Sequence, residues 1–164
     1  EDGIRDYKVT GVQTCALPIY RSILESKRFE SGEEPKVATL LGHSLGLSIC
    51  YDLRFPELFR EYAKQRVGMV SVPASFTSHT GKAHWEVLLR ARAIENQCFV
   101  LAPNQVGVGA GQKATYGHSM VVDPWGRILV KGDESTEGVL MTSLDFSFLE
   151  DVRTTMPVLD HMKL

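Results

Sequence analysis

The 164-residue chain is 43% hydrophobic and 23% charged with a formal net charge of −2, the profile of a folded globular domain with no electrostatic footprint for a polyanion such as nucleic acid. No apolar run approaches the roughly 18–20 residues that would span a bilayer, and the Gly and Pro residues follow no period, so membrane-spanning and fibrous readings drop out. Cys15, Cys50 and Cys98 are too few and too irregular for a disulfide or zinc framework. They read as reduced thiols of an intracellular protein, cytoplasmic by preference and mitochondrial as the alternative.

Residues 1–19 (EDGIRDYKVTGVQTCALPI) show neither periodicity nor helix caps. Val9–Ile19 resembles the translation of a short-read sequencing adapter and Glu1–Asp6 resembles its upstream primer, so this segment is set aside as non-native. One domain is expected over 20–164, an incomplete one whose beginning lies elsewhere.

From Leu40 onward short apolar runs alternate with amphipathic segments, the α/β pattern. Leu45–Cys50 reads as a buried strand. Pro56–Gln65 opens with Pro in a first turn and spaces Leu58, Phe59 and Tyr62 for one helical face. Met69–Val72 is a second strand, and a polar loop containing Gly81 leads to a long helix over Ala83–Gln97. Cys98–Ala102 is a third strand. Beyond the Gly-rich loop Gly107–Gly111 the helices drop out, and His118–Asp123, Ile128–Lys131 and Val139–Leu144 read as antiparallel strands, the first two joined by the turn Pro124-Trp125-Gly126. Asp145 or Ser147 is placed to cap a closing helix that runs to about Thr154, with Pro157 beyond it.

Two side chains compete as nucleophile. Gly42-His43-Ser44-Leu45-Gly46 matches G-x-S-x-G, with His118, His161 and Asp123 downstream as partners. That motif has to follow a strand and open a helix so that the serine stands on a strained turn; here it precedes a strand, which argues for a plain turn. Cys50 has the opposite context, at the end of an apolar strand and just before a helix, where backbone N–H groups can face an oxyanion. Position alone leaves a buried structural thiol as a strong competitor.

The stretches GLSICYDLRFPEL, PASFTSHTGKAHWEVLLRARAIENQCFV and YGHSMVVDPWGRIL together resemble, in order and spacing, three blocks of the nitrilase superfamily of carbon–nitrogen hydrolases. The resemblance covers about 40–161 and points to the amidase branch that acts on small carboxylated ω-amides of the deaminated-glutathione or α-ketoglutaramate kind. It implies the C-terminal portion of an αββα sandwich, a small-molecule amide substrate, no cofactor and a homodimer built on the helix after the nucleophile and the long helix. A non-catalytic module of the same fold, or another carbon–nitrogen hydrolase such as a nitrilase or carbamoylase, is the alternative.

By the same resemblance Cys50 is the nucleophile that forms a thioester, and the Tyr51 backbone N–H belongs to the oxyanion hole. Glu25 of LESKR resembles the supporting Glu that holds the catalytic Lys. Arg54 and Thr80 resemble carboxylate contacts, suited by the fork geometry of a guanidinium, and Phe76 lines the pocket. The general-base Glu and the Lys match no residue from Tyr20 onward, so the chain by itself is expected to be inactive. No His/Cys/Asp spacing suggests a metal. Asp123-Pro-Trp-Gly is turn chemistry, and Cys98 reads as core.

Overall fold

A computed structural model describes residues 32–108 and 114–163. Its framework is one six-stranded sheet whose strands follow chain order: β1 Lys36–Leu40, β2 His43–Leu47, β3 Met69–Ser71, β4 Phe99–Ala102, β5 Met120–Val122 and β6 Ile128–Lys131. The central pairs β2–β3 and β3–β4 are parallel, and the outer pairs β1–β2, β4–β5 and β5–β6 are antiparallel. The change of pattern read after residue 107 is this switch from parallel to antiparallel pairing.

Helices α1 (Pro56–Lys64) and α2 (Ser78–Asn96) supply the crossovers to β3 and β4 and cover one face of the sheet. Their contact layer holds Leu53, Phe59, Tyr62, Trp85 and Leu89 against Val70, Val100 and Val122. Alternation then sends Met69, Phe99 and Leu101 to the other face, where α3 (Phe146–Thr155) covers one end with Leu149 and Phe146. One sheet with its helical layers is the described part of the α/β sandwich.

Several boundaries differ from the sequence reading, each for a physical reason. Strand β2 starts at His43 and stops at Leu47, because His43 and Ser44 pair with Leu40 and Thr39 across a tight Leu41-Gly42 turn with φ of 50° and 82°. That primed geometry suits a two-residue hairpin. Strand β1 carries no alternating apolar signal, being exposed at four of its five residues. Helix α2 begins at Ser78, ahead of the Ala83 start expected, since Gly81 is accommodated inside it: a Cβ there would meet the Tyr116 ring at 2.3 Å. Val139–Leu144 is not a strand; Val139 and Met141 are 88% and 85% exposed and pair with none of the described strands. Asp145 does cap α3, its carboxylate accepting from the Ser147 and Phe148 amides. Glu25 and most of the 107–111 loop lie outside the described residues.

Candidate active site

Because β2, β3 and β4 run parallel, the segments that leave their carboxyl ends meet along one edge. After β2 the chain stays stitched to the segment leaving β3. The Ser48 amide and hydroxyl both donate to the Ser71 carbonyl, at 3.0 and 2.8 Å, and the Cys50 amide donates to the Pro73 carbonyl at 2.8 Å. The Asn104 side chain continues the stitching to the segment after β4. It accepts from the Phe76 amide at 2.8 Å and donates to the Gly117 carbonyl at 2.6 Å.

Cys50 is half-buried and adopts φ +45°, the left-handed region. A β-carbon there costs about 1–3 kcal/mol and persists only where the surroundings over-determine it. Here they do. Cys50 opens a short 3-10 helix, Cys50–Arg54, in which the Asp52 amide donates to the Ile49 carbonyl at 2.9 Å and the Asp52 carboxylate accepts from the Ile49 amide at 2.8 Å. From α2, the buried Arg92 donates twice to the Leu53 carbonyl, at 3.1 and 2.9 Å. Pro56 then starts α1.

Of the other residues named from the sequence, Arg54 ends this turn and Phe76 lies against it, whereas Thr80 is placed apart. The Arg54 guanidinium lies over the Phe76 ring at 5.0 Å and reaches the Tyr51 ring at 5.8 Å, a cation–π arrangement. Its Nη1 donates to His84 Nδ1 at 3.2 Å; since a guanidinium only donates, that contact requires the imidazole proton on Nε2. The guanidinium is thus engaged by Phe76, Tyr51 and His84. Phe76 is buried, its ring 5.0 Å from that of Trp85. Thr80 sits on the first turn of α2 with its hydroxyl 3.0 Å from that of Thr77, and the α2 residue that meets Arg54 is His84, one turn further on.

Asp52 and Asn104 escaped the sequence reading. Their only signal is a polar residue just after an apolar strand, Cys50-Tyr51-Asp52 and Pro103-Asn104, a pattern that loops share. Asp52 is fully buried, and burial pushes its carboxyl up to about 7 against the opposing pull of the Ile49 amide. Cys98 is a different kind of thiol: wholly buried at the start of β4, it is pushed up to about 12 by desolvation, which makes it inert core.

Ser44 lies within β2 opposite Thr39, and its hydroxyl accepts from the Gly68 amide at 3.0 Å. His118 is two residues before β5 at the other end of the sheet, with Nδ1 2.7 Å from the Tyr116 carbonyl. The G-x-S-x-G motif forms no elbow.

Residues 14–154 match the family described as carbon-nitrogen hydrolase, a match that begins inside the segment 1–19. The deaminated glutathione amidase of Yersinia enterocolitica is 46% identical over 137 residues, which cover 84% of this chain and 48% of that protein. Among solved structures, Saccharomyces cerevisiae Nit3, a member of branch 10 of the nitrilase superfamily, superposes with a TM-score of 0.76 at 34% identity, over 82% of this chain and 49% of that one. A mutant of the amidase from Nesterenkonia sp. AN1, which shows Michael addition of acrylamide at its active site cysteine, gives a TM-score of 0.67 at 32% identity, over 82% and 52% of the two chains. The chain spans about half the length of the curated relatives it matches. With the sheet, the crossovers and the thiol turn in place, the chain belongs to the carbon-nitrogen hydrolase family of the nitrilase superfamily.

Proposed function

We propose that this chain is the nucleophile-bearing part of an amidase that cleaves the C–N bond of a small carboxylated ω-amide. The observation that carries the reading is Cys50 itself, an L-residue held in the left-handed region at the carboxyl edge of three parallel strands. In this reading the Cys50 thiolate attacks the amide carbon and the Tyr51 N–H donates to the developing oxyanion. Collapse breaks the C–N bond and releases ammonia or an amine with a proton, leaving an acyl thioester. Water hydrolyses the thioester to the carboxylic acid and restores the thiol.

Arg54 takes the far carboxylate of the substrate, with Phe76 and Thr80 as the walls beside it. Glu25 supports the catalytic Lys; that Lys and the general-base Glu are assigned to no residue here. Residues 1–19 are foreign to the domain of 20–164 in this reading, against a family match that begins at residue 14. A homodimer is the assembly that fits the outer face of α2, where Val87 is 67% exposed and Ile94 42% exposed. The setting is the cytoplasm. No helix among the described residues is long and apolar enough to cross a membrane.

The test is a quenched reaction of the full-length protein with a carboxylated ω-amide, followed by peptide mass mapping. The acyl adduct is expected on the peptide that holds Cys50, and Cys50→Ala should abolish both adduct and turnover, a loss of about a thousandfold or more. An adduct on another side chain, or near-normal turnover of Cys50→Ala, overturns the reading.

A further inference from the structure

Asp52 is the one buried carboxylate beside Cys50 in the described turn, and one of its oxygens is left without a partner. Oδ2 accepts from the Ile49 amide at 2.8 Å, whereas Oδ1 has no hydrogen-bond partner among the described residues although Asp52 is fully buried. Buried polar atoms are rarely orphaned, and a carboxylate kept in that condition calls for a reason beyond packing. An apolar side chain of the same size would fill the space without desolvating a charge.

The geometry supplies the reason. Ile49 and Cys50 are the residues at which the chain turns from extended (Ile49 φ −137°) to left-handed (Cys50 φ +45°). The Ile49 amide lies on the near side of that reversal, and the Asp52 backbone amide and carbonyl bond to Ile49 O and Phe55 N on the two sides of it. One residue thus clamps the turn through side chain and main chain together. The other supports act at its ends: Pro73 O on the Cys50 amide, and Arg92 on the Leu53 carbonyl. None of these reaches the Ile49 amide.

We infer that Asp52 is a positioning residue for the Cys50 nucleophile, its carboxyl fixing the Ile49–Cys50 reversal so that the thiol and the Tyr51 N–H face the same reacting carbon. This deepens the amidase reading and rests on Cys50 as nucleophile. A residue in that role acts on the chemical step more than on substrate binding, because Arg54, at the far end of the turn, is held separately by the Arg92 bonds to the Leu53 carbonyl and by its contacts with His84 and Phe76. What the role requires at position 52 is an acceptor for Ile49 N–H, so an amide should serve where a methyl does not.

The experiment compares Asp52→Ala with Asp52→Asn in the full-length protein, reading kcat and KM on a carboxylated ω-amide, the rate of Cys50 alkylation by iodoacetamide, and the thermal midpoint. Asp52→Ala should lower kcat by about a hundredfold and slow alkylation by about tenfold with KM within about threefold; Asp52→Asn should restore most of both rates. The inference is overturned if Asp52→Ala turns over normally per folded molecule, if Asn and Ala lose equally, or if the loss falls on KM. Should Asp52→Ala fail to fold, the Asn variant and Asp52→Ser, whose shorter hydroxyl places its acceptor differently, decide it: the inference requires Asn to exceed Ser in alkylation rate, and equal rates refute it. If the wild type hydrolyses no amide while the alkylation contrast holds, the amidase reading fails and the positioning role stands.

Discussion

Cys50 and Ser44 lie on one run of chain and both sit in patterns that advertise a nucleophile, yet they occupy opposite ends of the parallel strands. At the amino end the serine hydroxyl, an imidazole and a guanidinium are engaged in closing the fold. Ser44 accepts from the Gly68 amide, the His43 ring stacks on Phe146 at 3.5 Å, and buried Arg153 of α3 donates to the Gln97 and Val67 carbonyls at 2.9 Å. Left-handed residues occur there too, at Arg66 and Gln97 where each ends a helix and at Leu41 in the hairpin turn, settings where that conformation is ordinary. At the carboxyl end Cys50 takes that conformation where it follows a strand and opens a helix, and a guanidinium rests on an aromatic ring. One end ties its serine, imidazole and guanidinium into the fold, and the other holds an L-cysteine in a conformation that costs stability. A nucleophile motif is therefore informative only through the end of the strand on which it falls.

The sharpest way to break this contrast is to damage the amino end and look for an effect on chemistry. Arg153→Met removes the donors to the Gln97 and Val67 carbonyls and leaves both acceptors buried. The expected cost is on the order of 4 kcal/mol of unfolding free energy, from two or more charge-assisted bonds lost in the interior. Denaturant titration measures it. Turnover per folded molecule should be unchanged, and a fall in kcat without a loss of stability would show that the two ends are coupled.

The complementary change at the carboxyl end is Arg54→Ala. Loss of the guanidinium should lower kcat/KM for carboxylated ω-amides by about 2–4 kcal/mol, the range for a desolvated charge pair that loses one partner, while neutral amides are nearly indifferent. Steady-state kinetics on matched substrates reads the difference directly. Equal small losses on both would return Arg54 to a structural role and leave Thr80 without its companion. Arg54→Lys should recover only part of the loss, since a point charge cannot present the fork or stack on Phe76 as well.

How much of this was legible beforehand depended on how local the physics was. Helix α1 could be read from Pro56 and the Leu58–Phe59–Tyr62 face, and β6 from its apolar run, because each announces itself within a few residues. The start of α2 was not, because Gly81 looks like a loop residue until the Tyr116 ring, far along the chain, is seen to occupy the space of its missing side chain. Strand β1 was invisible for a similar reason: an exposed edge strand has no buried face to imprint an alternation. The apolar alternation of Val139–Leu144 misled in the opposite direction, since a strand also needs a neighbour to pair with, and that is not a property of the segment. At the candidate site, Cys50, Arg54 and Phe76 were named through long blocks of resemblance, and the structure brings Arg54 onto the Phe76 ring. Asp52 and Asn104 became visible only as bonds to the Ile49 and Phe76 amides.

The smallest effect is the most discriminating about the motif itself. Ser44→Ala removes the acceptor of the part-buried Gly68 amide and little else, for Ser44 is opposite Thr39 in the hairpin ladder and its backbone bonds survive the change. A single neutral hydrogen bond of this kind is worth about 1 kcal/mol, so the thermal midpoint should drop by a few degrees. Catalysis should not move, because Ser44 precedes Leu47, the last residue of β2, and Cys50 lies beyond it at the other end of the sheet. A Ser44→Ala protein with normal turnover and a slightly lowered midpoint identifies the serine as a strand residue whose hydroxyl ties β2 to the start of β3. A fall in kcat of several orders of magnitude with the midpoint intact would reverse the assignment, since only a reacting hydroxyl could be so costly to lose and so cheap to the fold.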